Sequence, residues 1–564
     1  METISPLQKA RASYSPKLPP VLEQCGPFVR VSEGDPTESV ADHEQIKAMF
    51  PDMYGLPIVS FGVGAQRDMP AMNVGVILSG GQAPGGHNVI AGLFDGLKAM
   101  NPDSQLYGFL GGPSGLLEDK YVLLTEAIVD PYRNTGGFDM ICSGRTKLEE
   151  EEQFATVVKT CNAHDISALV IIGGDDSNTN ACVLAQYMIT QKAGIQVIGC
   201  PKTIDGDLKS ECIETSFGFD TATKVYAELI GNLLRDANSA RKYWHFIKLM
   251  GRSASHIALE CALQTHPTTC IISEEVRAKQ STLNDIVLDL AALVRDRAEA
   301  GMNFGIVLIP EGLIEFIPEM EALIKELNEL LAANKKYFGT LRSDDDKLQF
   351  VNSKISRESS QAFSSLPLAI QLQLLRDRDP HGNVQVSKIE TEKLLIDLVG
   401  DVIDQWNAAS EGDNEERPEE EKRKKIPFNS QAHFFGYEGR CAAPSNFDAD
   451  YCYSLGYAAA ALIGAGKTGY MASVRNIAAE SSAWQAGGIP LTMLMNLERR
   501  DGEDKPVIRK ALVDLDGRPF QTYASRRAAW AAGNAFVYPG PIQYFGSPSV
   551  CDRKSMTLVL EQQN

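Results

Sequence analysis

Carboxylates, lysines and glycines are concentrated at a few points of the sequence that suit phosphate chemistry. The first is GGDDS, in which Asp175 and Asp176 follow two glycines and the apolar run ALVIIG. Glycines after a buried strand leave space for a phosphate, and a carboxylate repels phosphate unless a cation lies between them. Asp175 suits Mg²⁺, which binds through one or two carboxylates together with substrate phosphates. The alternative is helix capping, for which Asp and Ser177 are both suited.

A second cluster, CPKTIDGDLK, comes directly after the apolar run QVIG. It places Lys202, Thr203, Asp205 and Asp207 within six positions of what must be a loop. An alcohol that attacks phosphorus needs a base to take its proton, and a carboxylate within hydrogen-bond reach can serve. Taken alone, the stretch is equally typical of an ordinary surface loop.

The segment GVILSGGQAPGGHNVIAGLFDGL predicts a strand, a glycine-rich turn and a helix. Gly80, Gly81, Gly85 and Gly86 carry no side chains, so backbone N–H groups at the helix N-terminus can face an anion. The spacing is not that of the dinucleotide-binding fingerprint. A purely structural tight turn is the alternative.

A third glycine-containing stretch, ALIGAGKT, differs from the P-loop pattern only at Ala461. The residues before it have the pattern of a helix, whereas a P-loop follows a strand. We therefore interpret Gly464 and Gly466 as the C-terminal end of that helix.

The elements that must position these motifs are apolar runs alternating with helical stretches from about Asn73 onward. The runs are NVGVILS, ALVIIG, QVIGC, HFIKLMG, TCIIS and FGIVLIP. Continuous apolar runs separated by helices predict parallel strands covered on both faces. Ligands bind at the carboxyl ends of such strands, where the motifs above lie.

The length and composition of the chain limit which classes of protein are possible. With 564 residues the chain is long enough for two or three packed units. The net charge of −19, from 54 basic and 73 acidic residues, argues against a nucleic-acid binder. The eleven cysteines are scattered without a CxxC pair, which favours reduced thiols in a cytoplasmic protein. No apolar run reaches the ~18 residues of a membrane span, and the N-terminus lacks the apolar region of a secretory signal.

Six motifs in this order resemble the phosphofructokinase family: SGGQAPGGHN, GGDDS, PKTIDGD, LMGRSASH, IPEGL and GYEGR. The closer match is to the long form of its pyrophosphate-dependent branch, which includes bacterial enzymes and the catalytic subunit of the plant enzyme. The resemblance covers roughly Asn73 to the C-terminal region. It implies two Rossmann-like three-layer α/β domains of the phosphofructokinase fold, with a helical insertion and an N-terminal arm.

The predicted division of the chain follows from this resemblance and from the composition. Residues 1–70 form a surface arm, 71–216 with 438–510 a donor-binding domain, 217–313 with 429–437 a sugar-phosphate-binding domain, 314–428 a mostly helical insertion, and 511–564 a C-terminal segment. The charged run EGDNEERPEEEKRKK (411–425) ends the insertion. We interpret it as a solvated loop, with an interaction tail as the alternative.

The resemblance also implies roles at the donor end of the site. Gly80, with Gly81 beside it, contacts the phosphoryl donor, and Arg145 of CSGRTK faces the transferring phosphoryl group. Asp175 ligates Mg²⁺. The predicted catalytic residues are Asp205, Lys202, Asp176 and Arg252, with Asp205 the general base on the sugar 1-hydroxyl.

A larger set is expected, by the same resemblance, to bind the sugar phosphate. In chain order it comprises Thr203, Asp205, Asp207, Lys242, Tyr243, Met250, Gly251, Arg252, Glu311, Tyr437, Glu438, Gly439 and Arg440. Lys242 and Tyr243 fall where the family contributes residues to a neighbouring subunit's site. An arginine such as Arg252 or Arg440 matches phosphate oxygens with its planar fork of donors.

The second aspartate of GGDDS bears on the choice of donor. ATP-dependent relatives typically have glycine at this position, which leaves room for the α-phosphate of the nucleotide. The carboxylate of Asp176 would fill that space and repel the α-phosphate, while Lys202 offsets its charge and stabilises the bridging oxygen of pyrophosphate. Selectivity against ATP then comes from a repulsive element combined with an attractive one.

The predicted reaction is reversible, Mg²⁺-dependent phosphoryl transfer from pyrophosphate to fructose 6-phosphate, which gives fructose 1,6-bisphosphate and phosphate. One alternative is an ATP-dependent phosphofructokinase, and the other is a non-catalytic regulatory subunit of a hetero-oligomer. Lys242 and Tyr243 imply a homodimer or higher oligomer, or a hetero-oligomer with a regulatory subunit. The sequence leaves open regulation by fructose 2,6-bisphosphate and the net direction of the reaction.

Overall fold

Each apolar run that predicts a strand forms one, and most of the strands collect into two sheets. The computed structural model describes residues 4–376, 384–414, 424–500 and 503–563. The strands are β1 (Val29–Pro36), β2 (Pro57–Val63), β3 (Asn73–Leu78), β4 (Gln105–Phe109), β5 (Tyr121–Leu124), β6 (Ile166–Gly173), β7 (Gln196–Pro201), β8 (Trp244–Leu249), β9 (Thr269–Cys270), β10 (Gly305–Pro310), β11 (Ser430–Phe435), β12 (Tyr470–Arg475), β13 (Gln485–Pro490), β14 (Met495–Arg500) and β15 (Glu503–Ile508).

Helices connect and cover these strands. They are α1 (Pro6–Ala12), α2 (Pro20–Cys25), α3 (His43–Met49), α4 (Gly86–Met100), α5 (Pro113–Glu118), α6 (Glu126–Val129), α7 (Glu151–Ala163), α8 (Asp175–Thr190), α9 (Phe219–Ala240), α10 (His256–Thr265), α11 (Ser273–Lys279), α12 (Leu283–Glu299), α13 (Pro318–Ala333), α14 (Lys335–Phe338), α15 (Asp344–Asn352), α16 (Arg357–Ser365), α17 (Leu368–Arg376), α18 (Thr391–Asn414), α19 (Tyr437–Arg440), α20 (Asn446–Gly464), α21 (Arg518–Ala532), α22 (Pro548–Cys551) and α23 (Met556–Glu561). Short 3-10 helices lie at Asp130–Tyr132, Leu313–Phe316, Val386–Lys388, Ser481–Ala483 and Leu491–Leu494.

The chain divides into two units, each built around one of the sheets. Unit 1 comprises Met1–Val225, Tyr437–Ala511 and Ile542–Asn564, and unit 2 comprises Tyr226–Gly436 and Leu512–Pro541. The predicted domain boundaries were 216/217 and 437/438, whereas the units meet at 225/226 and 436/437. The predicted C-terminal segment, 511–564, is shared between the two units, with α21 in unit 2 and both α22 and α23 in unit 1.

Within the described residues, the sheet of unit 1 has nine strands in the order β1-β2-β13-β12-β7-β6-β3-β4-β5. The neighbours from β12 through β4 pair in parallel, as continuous apolar runs predict. Antiparallel strands extend the sheet at both ends. The strand order reverses between β3 and β6, because β4 lies on one side of β3 and later strands lie on the other. Ligands of open α/β sheets bind at the carboxyl ends of the strands beside such a reversal.

In the described part of unit 2, four parallel strands form a sheet in the order β11-β8-β10-β9. Every residue of β8 and β10 is buried, as expected for strands with helices on both faces. Their register pairs Leu249 with Pro310. Met250 and Glu311 therefore leave the sheet side by side.

The predicted helical insertion consists of α13 to α18 and packs as part of unit 2. Leu327 and Leu395 of the insertion share one buried apolar cluster with Phe246 of β8 and Ile309 of β10. The insertion thus completes the core beside the small sheet. Helix α18 includes residues 411–414, which were predicted to begin the charged loop, and residues 415–423 of that loop lie outside the described residues.

The N-terminal segment differs from the predicted surface arm. Strands β1 and β2 extend the large sheet, and Ile46, Phe50 and Met53 are buried in the core of unit 1. Tyr14 is held on α20, where its hydroxyl donates to Asp450 Oδ1 at 2.8 Å. Strand β1 was not predicted because it is mostly exposed and polar, without the apolar alternation of a half-buried strand.

The P-loop look-alike is a helix end, as predicted. Helix α20 ends at Gly464, and Gly466 has a positive φ of +72°. None of the helices in the described residues is both long and apolar enough to cross a membrane.

Candidate active site

The glycine-rich turn after β3 lies at the reversal of strand order in unit 1. Gly80 has φ +86°, a conformation that favours glycine, and its N–H donates to Gly144 O at 2.9 Å. Ser79, just before it, accepts a hydrogen bond at 2.8 Å from Ser177 Oγ of α8. Ser177 thus joins the ends of two neighbouring strands and is not the helix cap that the sequence suggested. The N-cap is Gly174, which has no side chain to bond the first turn.

Cations approach this turn because its glycines leave room for them. A Cβ on Gly80 would lie 3.2 Å from Lys202 Nζ. A Cβ on Gly81 would lie 2.5 Å from a terminal nitrogen of Arg440 and 3.4 Å from one of Arg145. One ammonium and two guanidinium groups therefore converge on the turn, which is the equipment that phosphoryl transfer requires.

Lys202 directly follows β7 and is anchored to the neighbouring strand by its N–H, which donates to Gly173 O at 2.9 Å. The residue is only 6% exposed. Burial lowers the pKa of Lys202 to about 8, while the carboxylates of Asp205 and Asp175 act to raise it. The carboxylates that act most strongly on the charge of Lys202 are thus those of Asp205 and Asp175.

Asp175 is the first residue of α8 and directly follows the strand and two glycines of GGDDS. Its Oδ2 lies 3.4 Å from Lys510 Nζ, and the two side chains are 21% and 31% exposed. Lys510 follows β15 and was not predicted from any motif. The carboxylate therefore lies where a metal could reach it from solvent.

The loop after Lys202 carries the predicted base. Thr203 Oγ1 accepts a hydrogen bond from the N–H of Asp205 at 3.0 Å, which sets the turn of the loop. Asp207 is 5% exposed, and burial, together with the charges of Asp205 and Asp175, raises its pKa to about 7. Three carboxylates thus share one electrostatic environment, which is the typical setting of a proton-transfer site.

The metal-ligating side chains at this site suit Mg²⁺ better than they suit a cation that is coordinated entirely by protein atoms. Among the described residues, no group of three or more His, Cys, Asp or Glu side chains is arranged to hold a metal ion. Mg²⁺ commonly keeps several waters and takes one or two carboxylates plus substrate phosphates. Asp175, partly exposed beside the converging cations, can supply such a ligand.

Asn178 is a positioning residue that the sequence reasoning missed. Its side-chain amide donates to the carbonyl oxygens of Gly173, Gly174 and Cys200, at 2.7, 2.9 and 3.3 Å. The residue is fully buried. It ties the end of β6 to the end of β7, and so couples the position of Asp175 to that of Lys202. The one signal for Asn178 in the sequence was a polar residue in the first turn of a predicted helix. Such residues are too common to mark a particular position as functional.

Asp176 is the second residue of α8, and its side chain leaves the helix in a different direction from that of Asp175. Successive residues of an α-helix are separated by about 100° around its axis, so neighbouring side chains cannot share a direction. Asp176 is exposed and lines a cavity of about 460 Å³. The cavity also contains two lysines, Lys147 and Lys505, and apolar side chains that include Phe50 and Val183.

In unit 2, the residues of the LMGR and PEG motifs lie at adjacent strand ends. Glu311 Oε2 accepts a hydrogen bond from Gly251 N–H at 2.9 Å, and the glutamate is 3% exposed. Gly251 has φ +127°, and Met250 N–H donates to Phe435 O at 3.0 Å. These bonds hold the loop that presents Arg252, which is exposed.

Lys242 and Tyr243 precede β8 and so lie at the opposite end of that strand from Met250. Lys242 is exposed, and its Nζ lies 5.0 Å from the centre of the Tyr243 ring. The described structure therefore does not bring them together with Arg252.

The YEGR motif forms the short helix α19 in unit 1. Tyr437 is 70% exposed and Glu438 is exposed, while Gly439 is buried. Arg440 lies with its guanidinium 5.3 Å from the centre of the Tyr437 ring. Arg440 is thus the member of this motif that reaches the glycine-rich turn.

A mixed sheet with a parallel centre and a second, fully parallel sheet, with charged loops at the carboxyl ends of their parallel strands, define an α/β protein with two Rossmann-like units, as predicted. The family model described as Phosphofructokinase matches residues 73–345. The pyrophosphate–fructose 6-phosphate 1-phosphotransferase of Porphyromonas gingivalis is 60% identical over 559 residues, which cover 99% of each chain. The chain belongs to the phosphofructokinase family.

Two further comparisons agree with this assignment. The β subunit of the pyrophosphate–fructose 6-phosphate 1-phosphotransferase of Solanum tuberosum is 51% identical over 561 residues, or 99% of this chain and 94% of that protein. The crystal structure of a pyrophosphate-dependent phosphofructokinase from Marinobacter aquaeolei matches with a TM-score of 0.53 and 16% identity, covering 82% of this chain and 93% of the other. At that identity the structural match concerns the fold alone.

Proposed function

We propose that this chain is a pyrophosphate-dependent phosphofructokinase. It transfers a phosphoryl group reversibly from pyrophosphate to the 1-hydroxyl of fructose 6-phosphate, which gives fructose 1,6-bisphosphate and phosphate. The observation that carries the proposal is the convergence of Lys202 and two arginines on the Gly80 turn, beside the carboxylate of Asp175. Full-length relatives with 60% and 51% identity are named for this reaction, which supports the same assignment.

The chemistry assigned to the protein groups is proton transfer and charge neutralisation. Asp205 accepts the proton of the sugar 1-hydroxyl as the new O–P bond forms and the bridging P–O bond of pyrophosphate breaks. Phosphate leaves with the bridging electron pair, and Lys202 stabilises the developing charge. Arg145 and Arg440 neutralise the oxygens of the transferring group and hold it in line. For Arg440 we propose this role in place of the sugar-phosphate role that the resemblance implies, because its guanidinium lies beside Gly81. Thr203 and Asp207 set the position and charge of the base.

Asp175 would hold Mg²⁺ together with oxygens of the bound donor. The metal would supply further neutralisation of the phosphate charge when bound. Asn178 contributes by fixing the strand end on which Asp175 sits, through its bonds to Gly173 and Gly174.

Donor selectivity is assigned to Asp176. A carboxylate in the first turn of α8 repels the additional phosphate of ATP, which pyrophosphate lacks. Its side chain borders the cavity that contains Lys147 and Lys505.

We assign binding of the sugar phosphate to the loop of Met250, Gly251 and Arg252. Glu311 is assigned hydrogen bonds to the sugar hydroxyls. Arg252 is exposed and available to an anionic ligand. The resemblance also assigns Tyr437 and Glu438 to sugar binding, and both are exposed on α19.

Lys242 and Tyr243 are proposed to complete the site of a neighbouring copy of the chain. Their place at the far end of β8 from Met250 supports a contribution to another subunit's site. We therefore propose a homodimer or higher oligomer in the cytoplasm. The 51% identity to a protein named as a β subunit supports a hetero-oligomer as a second arrangement.

The decisive experiment compares donors with the purified chain expressed alone. Formation of fructose 1,6-bisphosphate is measured with Mg²⁺ and either pyrophosphate or ATP, and activity is expected with pyrophosphate. Asp205→Asn should lower kcat by about 100-fold or more and leave the affinity for fructose 6-phosphate within a few-fold. Activity only with ATP would overturn the donor assignment. Inactivity with both donors would favour the regulatory-subunit alternative.

A further inference from the structure

The segment after β15 is fastened on both sides of Lys510. The N–H of Ile508 donates to Thr179 Oγ1 on α8 at 3.0 Å. The N–H of Ala511 donates to the backbone oxygen of Asp207 at 2.7 Å, in the loop that carries the proposed base. The backbone of Lys510 is therefore held between the two elements that supply the carboxylates of the site.

The side chain of Lys510 reaches into that site. Its Nζ lies 3.4 Å from Asp175 Oδ2. Its positive charge acts to lower the pKa of Asp207, which burial raises. Both members of the ion pair are partly exposed, at 31% and 21%. Ion pairs with this exposure are weak, so a divalent cation can displace the ammonium from the carboxylate. Lysine has a flexible four-carbon stem, and the displaced ammonium can find a second partner nearby.

We propose that Lys510 is a donor-binding residue that exchanges partners between Asp175 and pyrophosphate. Its ammonium neutralises Asp175 until the carboxylate is occupied by the metal, and then binds an oxygen of the donor held at the same place. This inference rests on the proposed function and extends it to a residue 335 positions after Asp175 in the chain.

The test replaces the ammonium with an apolar side chain of similar length, in Lys510→Met. Binding of Mn²⁺ without donor is followed from the electron paramagnetic resonance signal of the free ion. It should tighten about two- to five-fold, because the competing cation is gone. At saturating Mg²⁺, the KM for pyrophosphate should rise about ten-fold or more, because a charge-assisted hydrogen bond to the donor is lost. The KM for fructose 6-phosphate should change less than two-fold.

Two comparison variants separate this role from a structural one. Lys510→Arg keeps the charge, and we expect it to restore the KM for pyrophosphate to within about three-fold of the wild-type value. Lys120→Met removes a surface lysine paired with Glu118 and should leave both measurements unchanged. A role confined to stability would lower the thermal midpoint of Lys510→Met. It would not tighten metal binding while weakening the binding of pyrophosphate.

The proposal is overturned if Lys510→Met binds Mn²⁺ no more tightly than the wild type, or if its KM for pyrophosphate stays within two-fold. The Mn²⁺ titration needs no turnover and reports on the Asp175 pair by itself. Failure of the proposed function is a different result, in which the wild-type chain forms no fructose 1,6-bisphosphate from pyrophosphate.

Discussion

The ammonium of Lys202 lies 3.2 Å from the position that a Cβ on Gly80 would occupy. The glycine serves this contact in two ways. Its φ of +86° is one that side chains rarely adopt, and the missing side chain lets the lysine approach the backbone of the turn. The residues that follow β3 and β7 are thereby in contact, with the end of β6 between the two strands.

We expect Gly80→Ala to raise the KM for pyrophosphate about ten-fold or more, because the methyl group displaces Lys202 from the turn. The KM for fructose 6-phosphate should change little. Gly466→Ala is the matched control, since Gly466 has φ +72° but nothing within 4 Å of its would-be Cβ. Both variants should lose about 1–3 kcal/mol of stability from backbone strain. Steady-state kinetics that show equal donor KM values in the two variants would contradict the role given to the Lys202 contact.

Asp176 can be tested for its effect on donor choice. Asp176→Gly removes both charge and volume and should raise the ratio of ATP to pyrophosphate kcat/KM at least ten-fold. Asp176→Asn removes the charge and keeps the volume. The share of the increase in this ratio that Asp176→Asn also shows is therefore due to electrostatic repulsion. An unchanged ratio in both variants would show that selectivity against ATP lies elsewhere.

The bond between Glu311 and Gly251 is expected to govern sugar affinity. Glu311→Ala removes the buried acceptor of the Gly251 N–H and should raise the KM for fructose 6-phosphate about ten-fold or more. Glu311→Gln retains an acceptor oxygen and should have a smaller effect. The KM for pyrophosphate is the internal control. An equal rise for both substrates would show that the effect is not confined to the Arg252 loop.

His87 should make the stability of unit 1 depend on pH. Its ring is fully buried, and Nε2 accepts the N–H of Met140 at 3.3 Å, which requires that nitrogen to be unprotonated. Burial lowers the pKa of His87 to about 4, against a weaker opposing effect of Asp139. Between about pH 6.5 and 4 the unfolded chain therefore binds a proton that the folded chain does not, and stability falls as the pH is lowered.

The expected loss from this histidine between pH 7 and pH 5 is about 2 kcal/mol. It is measured from the midpoints of urea unfolding at the two pH values. His87→Gln should reduce the difference by that amount, whereas His43→Gln, at an exposed histidine, should leave it unchanged. If His87→Gln loses as much stability between pH 7 and pH 5 as the wild type does, the pH dependence comes from other groups.

Motif order and strand periodicity were sufficient to predict the positions of Asp175 and Lys202 at strand ends. Parallel strands bring their carboxyl ends to one edge of a sheet, so residues that follow β6 and β7 must be neighbours there. The different directions of Asp175 and Asp176 were not predicted, because they depend on α8 beginning at Asp175 itself. The arm was mispredicted because strand β1 has few apolar residues and joins the sheet through backbone hydrogen bonds to β2.

The sequence by itself determined the fold class, the family and the glycines and carboxylates of the donor site, because these depend on local periodicity and short motifs. The tertiary structure decided which further residues reach that site. Lys510 reaches Asp175 only because Ile508 pairs with Thr179 across 329 positions of the chain. No local pattern encodes such a contact, since it arises when distant segments pack against one another around a shared core.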